Sequence, residues 1–260
     1  MSVERYIETL QLADRNLAPQ RPRGFVTAMG TTQSIRTMGT APEDLQAAAV
    51  DVGSLLSFVG GVNPQERDDV LFSVQLAQRG ASGAFDRFAQ TESWYGKYAE
   101  ILETLGWTVE QLVFARYDKD QGELRMDKAA LELIMAIATQ NQLTILTQAV
   151  KALEALAEDD DTIQLFDFHT AASVSGNFQL GAVQKAANDA LAMVLGAFHF
   201  KATDARRRFL FFSWGAQELD FWTAAQKMTL NTAHYAQHRD SVQRKLGKEA
   251  EEYIAALPLG

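Results

Sequence analysis

Apolar residues follow two different spacings along the chain. In the first half they recur three and four positions apart, which is the period of a helix with one buried face. Trp94, Tyr98, Ile101 and Leu102 show this spacing within residues 91–105. From residue 162 onward they alternate with polar residues, or form short runs bounded by Gly, Asn and Asp, as in strands joined by tight turns. The pattern predicts a helical part followed by a strand-rich part.

Helix boundary signals divide the helical part into elements. Asn63, Pro64 and Glu66 form a helix start, because Asn caps free N–H groups and proline suits the first turn. Residues 40–44 have the same kind of pattern and predict another start. The predicted helices cover residues 2–17, 40–59, 63–79, 91–105, 127–138, 142–156, 231–246 and 248–257.

The strand-rich part is predicted to be an antiparallel meander, because consecutive strands with short connections usually pair as neighbours. Residues 107–117 and 123–126 are expected to pair as a separate hairpin, and residues 219–230 fit a strand or a helix equally well. The predicted strands cover residues 107–117, 123–126, 162–170, 178–186, 190–202 and 207–214.

Helices, then strands, then helices is the order of an α+β fold. We expect a single domain over residues 1–260. Its parts are a helical N-terminal part (1–157), an antiparallel meander of four to five strands (162–230) and C-terminal helices packed on the sheet (231–257).

Composition excludes several kinds of chemistry. The 260 residues include no cysteine, which excludes disulfides, thiolate metal sites and a cysteine nucleophile. The formal charge is −9, and the only basic run is Arg206, Arg207 and Arg208. Nucleic-acid binding needs clustered cations that release counterions from phosphates, so we expect no nucleic-acid partner.

Neither a membrane helix nor an export signal is expected. The longest apolar stretch, residues 190–200, is shorter than the roughly 20 residues that a spanning helix needs. The start, MSVERYIETL, lacks a basic region followed by an apolar core. We therefore expect a protein that is cytoplasmic, or released without a conventional signal peptide.

Candidate catalytic groups are few. Phosphate-loop, dinucleotide and serine-hydrolase motifs are missing, and we predict no catalytic residue, metal or cofactor. His234 and His238 share a helix face and could chelate a metal, but Tyr235 stands where a zinc-protease helix has Glu. A solvated helix face is the simpler interpretation. His169 and His199 lie near strand ends, either as satisfied hydrogen-bonding groups or as a pH-sensitive pair.

The segment FLFFSWG, residues 209–215, follows the three arginines directly. In an extended strand, Phe209 and Phe211 face one side while Phe212 and Trp214 face the other. A strand that is apolar on both sides must be covered twice. The cover is a layer of helices on each face, an internal channel that holds an acyl chain, or a membrane whose phosphates meet the arginines.

The same two-sided pattern recurs at residues 165–168 and 194–200. These stretches supply further rings to a common apolar space. The predicted ligand-binding residues are Phe166, Phe168, Phe198, Phe209, Phe211 and Trp214.

The order of segments resembles that of the Erwinia virulence factor (Evf) type of bacterial virulence-associated proteins. The resemblance lies in the initial helices, the segments GNFQLG at residues 176–181 and FLFFSWG at residues 209–215, and a helix ending in KLG at residues 245–247. It implies an α/β protein with a central hydrophobic channel, a fatty acyl group on a cysteine and action in an insect gut. Because this chain has no cysteine, only non-covalent lipid binding carries over, and no residue roles are transferred.

The leading hypothesis is a non-enzymatic bacterial virulence- or toxin-like protein, whose apolar cavity holds a fatty acid or another apolar ligand or which engages a membrane surface. One alternative is an enzyme of unrecognised class with its site near His169 or His199. Another is an assembly protein whose aromatic surface is buried by self-association.

Overall fold

The structure is a computed structural model. It describes residues 1–13, 33–35, 45–51, 53–109, 112–117, 123–156, 166–167, 170–205, 208–215 and 218–256. In this part of the chain the helices are α1 (Val3–Thr9), α2 (Pro64–Ala84), α3 (Thr91–Thr104), α4 (Met126–Met135), α5 (Gln140–Ala155) and α6 (Thr232–Ala256).

The strands are shorter at the edges of the fold than at its centre. The three longest strands have 11 or 12 residues each. In chain order the strands are β1 (Gln33–Ile35), β2 (Leu45–Asp51), β3 (Ser54–Val59), β4 (Trp107–Thr108), β5 (Ala115–Arg116), β6 (Leu124–Arg125), β7 (Ala171–Ala172), β8 (Ser175–Lys185), β9 (Leu191–Ala202), β10 (Ser213–Trp214) and β11 (Leu219–Leu230).

Nine of these strands form one mixed sheet. Its order is β1-β2-β3-β8-β9-β11-β4, with β5 also on β11 and β7 also on β8. All pairs are antiparallel except β3 with β8, which is parallel. The remaining two strands, β6 and β10, pair with each other. Helices and strands are both present as predicted, but the antiparallel meander of four to five strands is wrong, because the sheet is larger and mixed.

Helices cover both faces of the central strands. On one face, the buried apolar residues of α1, α2, α3 and α6 pack in a single cluster with Leu195, Ala197 and Met228. On the other face, α4 and α5 pack with Phe178, Phe198 and the segment after residue 208. Both sides of β8 and β9 are therefore removed from water, which explains why these strands are apolar at consecutive positions.

Several helix starts agree with the sequence. Asn63 and Glu66 form a reciprocal capping box at the start of α2, in which each side chain accepts a hydrogen bond from the other residue's backbone N–H. Ser2 caps α1 through the N–H of Arg5. Helix α1 nevertheless ends at Thr9 rather than at residue 17, and the prediction for residues 14–17 lies outside the described residues.

The predicted helix over residues 40–59 is wrong. Residues 45–51 and 54–59 form the antiparallel hairpin of β2 and β3, and residues 40–44 lie outside the described residues. Gly53 has a φ of +89°, which allows the tight turn between them. Leu55 and Leu56 are both fully buried, on opposite faces of the sheet. A continuous apolar run of this kind cannot be distinguished from a buried helix by its spacing.

Three predicted strand assignments also fail. Phe166 and Asp167 are helical rather than extended. Residues 209–211 form a single 3-10 turn, so the predicted strand over 207–214 is reduced to β10. The expected hairpin of residues 107–117 with 123–126 does not form, because β5 pairs with β11 and β6 pairs with β10. Residues 219–230, which fitted either structure, are the strand β11.

Helix α2 extends past its predicted end at residue 79 and includes two glycines, Gly80 and Gly83. A Cβ atom on Gly80 would lie 2.7 Å from Ile101 Cδ1, and one on Gly83 would overlap the carbonyl oxygen of Gln11. Both glycines therefore allow other segments to approach the helix closely. Gly247 likewise does not end α6, which continues to Ala256.

We expect Gly83→Ala to destabilise the fold by about 1–3 kcal/mol, because the added methyl must displace the backbone at Gln11. Gly96→Ala in α3 is the matched control, since no atom lies within 4 Å of its new Cβ. That control should gain about 0.5–1 kcal/mol from the lower backbone entropy of alanine. Chemical denaturation measures both, and equal effects at the two positions would contradict the close approach.

Candidate functional site

A cluster of phenylalanine rings fills the space between the sheet and the segment after residue 208. We call it the phenylalanine cluster. Phe178 lies at its centre, with ring centroids 4.9 Å from Phe198, 5.6 Å from Phe209 and 6.3 Å from Phe221. All of its side chains are buried. Its members are Phe166, Phe178, Phe198, Phe200, Phe209 and Phe221.

The structure brings together three of the predicted ligand-binding residues, namely Phe166, Phe198 and Phe209, in this cluster. Trp214 is buried beside it and Phe211 is half-buried at its rim. Phe168 lies outside the described residues. Sequence analysis missed Phe178, Phe200 and Phe221, although it predicted strands that are apolar on both faces in this part of the chain.

The cover over part of the cluster is a short irregular segment, residues 208–215, which we call the strap. Arg208 has a left-handed backbone with φ +53°, the 3-10 turn follows, and β10 adds only two residues to β6. Phe209 and Leu210 point inward and are buried. The Trp214 indole N–H donates to the Phe209 carbonyl at 3.1 Å, which closes the strap on itself.

Arg208 fixes one end of the strap. Its backbone N–H donates to Asp167 Oδ2 at 2.8 Å. Its guanidinium donates to the carbonyls of Leu156, at 3.1 Å, and of Glu154 at the C-terminal end of α5. The positive group therefore meets the negative end of the helix dipole. The guanidinium also lies over the ring of Phe211, with Cζ 5.7 Å from the ring centroid.

Two surface depressions of the described residues lie away from the cluster. One surface depression of about 360 Å³ is lined by Thr108, by the turn before β9 (residues 188–190) and by the end of β11 with the start of α6 (residues 229–233). Another, of about 330 Å³, lies around Arg116 and Lys201. Neither is lined by a ring of the cluster, so a ligand would reach the rings by displacing the strap or the rings themselves.

A second group of side chains lies on the opposite face of the sheet, and sequence analysis missed it. We call it the polar cluster. It joins α2 and α3 to β3 and β8 through buried hydrogen bonds. Its members are Ser54, Gln78, Arg87, Tyr95, Asn177 and Gln179.

Asn177 makes three hydrogen bonds within the polar cluster. Its side-chain oxygen accepts from the Tyr95 hydroxyl at 2.8 Å and from Arg87 Nη2 at 3.4 Å. Its amide nitrogen donates to the Arg87 carbonyl at 3.2 Å. Nearby, Gln179 Oε1 accepts from Ser54 Oγ at 2.7 Å and from Gln78 Nε2 at 2.9 Å.

The protonation states of the polar cluster indicate that it stabilises the fold. Burial lowers the pKa of Arg87 to about 10, so this guanidinium stays charged at neutral pH. Burial also raises the pKa of Tyr95 well above the usual range and keeps its hydroxyl protonated. A charged arginine and protonated tyrosines donate hydrogen bonds, and neither accepts a proton at neutral pH. The cluster fixes α2 and α3 on the sheet.

The alternation of Asn177 and Gln179 within an otherwise apolar strand was the signal for this cluster. Both residues point to the same face of β8 because side chains alternate along a strand. Their partners Gln78 and Arg87 could not be assigned from the sequence, since they are about 100 residues away in the chain and meet them only across the packed layers.

His199 lies on β9 between aromatic rings. Its ring is stacked on Trp222 at a centroid distance of 4.3 Å and meets Phe114 edge-on at 5.5 Å. Burial, with a smaller contribution from Lys201, lowers the pKa of His199 to about 4, so the imidazole is neutral at pH 7. His169 lies outside the described residues, and the predicted relation between the two histidines stays a prediction.

The other two histidines connect α6 to the helices around it. His238 Nδ1 lies 2.7 Å from Glu4 Oε1 on α1, and His234 Nε2 lies 3.3 Å from the Thr104 carbonyl. Their ring centroids are 4.8 Å apart.

In the part of the chain that the structure describes, no three His, Cys, Asp or Glu side chains are grouped as a metal site would require. None of the helices described is both long enough and apolar enough to cross a membrane.

The solved structures that are similar to this chain include two distant matches. No protein-family model and no curated protein matches the sequence. A solved delta-endotoxin structure is similar with a TM-score of 0.43 and 10% identity, over 82% of this chain and 90% of that one. The structure of the Evf virulence factor is similar with a TM-score of 0.34 and 9% identity, over 77% of each chain. At these scores neither similarity carries an argument about function.

We expect Asn177→Ala to destabilise the protein by about 2–4 kcal/mol, because it removes the hydrogen-bond partner of the buried Tyr95 hydroxyl and a partner of Arg87. Asn188→Ala, at an exposed turn, should change stability by less than about 1 kcal/mol. Urea denaturation of both variants measures the difference. A loss below about 1 kcal/mol for Asn177→Ala would contradict a structural role for the polar cluster.

Proposed function

We propose that this chain is a non-enzymatic, toxin-like protein that holds an acyl chain against the phenylalanine cluster, beneath the strap. The observation that carries the proposal is the contrast between the rings and their cover. Part of a closely packed aromatic surface lies under one 3-10 turn, whereas α4 and α5 cover the rest of that face. Lifting the strap would expose a continuous apolar surface suited to an acyl chain.

The strap has the features of a segment that opens more easily than the surrounding layers. A single 3-10 turn has poorer hydrogen-bond geometry than an α-helix. The left-handed backbone of Arg208, a residue with a Cβ, adds strain. Only two residues of β10 pair with β6, so few backbone hydrogen bonds hold this end of the strap. Segments with few backbone hydrogen bonds open at a lower free energy than the core elements around them.

A comparison of the two sheet faces favours the face under the strap as the acyl site. The face that carries the polar cluster has buried amide, hydroxyl and guanidinium groups, which lose their hydrogen bonds if an alkyl chain separates them. On the strap side the central positions of β8, β9 and β11 are Phe178, Phe198 and Phe221. These rings have no polar group of their own that an alkyl chain would leave unpaired.

The non-enzymatic part of the proposal rests on the lack of a gathered catalytic set around the predicted histidine. The ring contacts of His199 in the described part of the chain are Phe114 and Trp222. A general base is most effective when its pKa is near the working pH, whereas burial lowers the pKa of His199 to about 4. The toxin-like part rests on the resemblance in the order of sequence segments.

We expect lipid extraction and mass spectrometry of the purified protein to find fatty acids, and added palmitate to raise the melting temperature. The strap provides a specific control. Arg125 and Ser213 are directly opposite each other in the pairing of β6 and β10, at a separation that suits a cross-strand disulfide. Since the chain has no cysteine, the double variant Arg125→Cys/Ser213→Cys forms a single defined bond.

Oxidation of that double variant should block uptake of palmitate by delipidated protein, and reduction should restore it. The reduced form is the matched control, because it carries the same two substitutions. A lack of extracted lipid together with an unchanged melting temperature would overturn acyl binding. Equal uptake by the oxidised and reduced forms would overturn access beneath the strap.

Dye-filled phosphatidylcholine vesicles check the toxin-like part separately. We expect the wild-type protein to release the dye and the oxidised double variant to release less, because membrane lipid reaches the rings only when the strap opens. The reduced double variant is again the control. A protein that binds palmitate but leaves the vesicles intact would retain the lipid-binding part of the proposal and lose the toxin-like part.

A further inference from the structure

We infer that Arg208 binds the anionic headgroup of the acyl ligand, so that the protein selects fatty acids and other anionic single-chain lipids over neutral ones. The inference rests on the proposed function, because it names the ligand class of the same site. Its basis is the position of one half-buried cation at the rim of the phenylalanine cluster.

Arg208 lies directly where the apolar surface begins. The next residue, Phe209, belongs to the phenylalanine cluster, and its ring centroid is 4.9 Å from that of Phe200. The guanidinium itself lies over Phe211 at the outer side of the strap. A ligand with its headgroup at Arg208 could therefore extend its alkyl chain along Phe209 toward the centre of the cluster.

Among the described residues, no carboxylate pairs with the guanidinium of Arg208. Both hydrogen bonds that its guanidinium makes within the described residues go to backbone carbonyls at the end of α5. A helix end carries roughly half an elementary charge, which leaves part of the arginine charge unbalanced. Asp167 accepts from the backbone N–H of Arg208 rather than from its guanidinium. The five N–H donors of a guanidinium also exceed the two that these carbonyls use.

The neighbouring arginine, Arg125, differs from Arg208 because carboxylates compensate its charge. Arg125, on the strand that pairs with the strap, binds Asp127 through two hydrogen bonds of 3.0 and 2.9 Å and Glu154 at 2.7 Å. Two carboxylates therefore compensate its charge fully. Of these two rim arginines, Arg208 is the one whose charge an incoming anion would balance.

The sequence around Arg208 supports the same ligand charge. Arg206 and Arg207 precede it directly, in a chain whose formal charge is −9. A basic run in an acidic protein concentrates the attraction for an anion at one place. Carboxylate and phosphate headgroups share this chemistry, since both accept charge-assisted hydrogen bonds from a guanidinium.

The experiment compares three ligands with matched chains, namely palmitate, palmitoyl lysophosphatidate and hexadecanol. Each is titrated below its aggregation concentration by displacement of a fluorescent fatty acid. The wild-type protein should bind one or both anions at least about tenfold more tightly than the alcohol, as expected for a charge-assisted hydrogen bond. The relative affinity of the two anions distinguishes a free fatty acid from a phosphate headgroup.

Arg208→Gln should reduce the preference for anions to about one, while Arg208→Lys should retain most of it because the charge remains. The ratio of affinities separates charge recognition from anchoring of the strap, since a looser strap changes the binding of all three ligands alike. Arg116→Gln is the matched control. Arg116 is 70% exposed and pairs with the carboxylate of Asp220 on β11, so its variant should keep the wild-type ratio.

Several results of these titrations would overturn the inference. Equal affinity of the wild-type protein for anions and alcohol overturns the inference and leaves acyl binding intact. An unchanged ratio in Arg208→Gln, or a loss of preference in Arg208→Lys as complete as in Arg208→Gln, also overturns it. If the wild-type protein binds none of the three ligands, the proposed function fails and the inference fails with it.

Discussion

The structure depends on the double burial of one group of strands. Strands β8, β9 and β11 carry large apolar side chains on both faces, so neither face can be left in water. One layer of helices, α1, α2, α3 and α6, covers the first face, and α4 and α5 with the strap cover the second. The parallel contact of β3 with β8 extends this double-sided sheet toward the N-terminal strands.

The two covers are attached by different physical means. On the α2 and α3 side, buried hydrogen bonds around Asn177 and Gln179 fix the helices in one position, because any shift would leave amide and guanidinium groups without partners. On the strap side the buried contacts are between rings, and the strap is held by the hydrogen bonds of Arg208 and the two-residue pairing of β10 with β6. This asymmetry places the proposed acyl site under the strap and gives Arg208 its position at the boundary between ring surface and solvent.

The predictions agree with the structure where they depend on residues that are close together in the chain. Helix α2 was predicted at its start because the capping box at Asn63 is formed by residues three positions apart. Strands β8 and β9 were predicted because turn residues bound their apolar runs. Residues 45–59 were assigned to a helix because their buried faces depend on neighbours that are distant in sequence. The aromatic segment after Arg208 was assigned to a strand, although a left-handed residue and a 3-10 turn place its rings.

The sequence by itself determined that the later strands must be covered on both faces, since apolar side chains at consecutive positions of a strand have no other way to leave water. It also determined the aromatic character of the candidate site and excluded thiol chemistry there, because composition does not depend on folding. Only the tertiary structure decided which rings meet, which helix layer carries buried hydrogen bonds, and that Arg208 lies at the end of α5. These contacts join residues far apart in the chain, and their geometry arises only when the layers pack together.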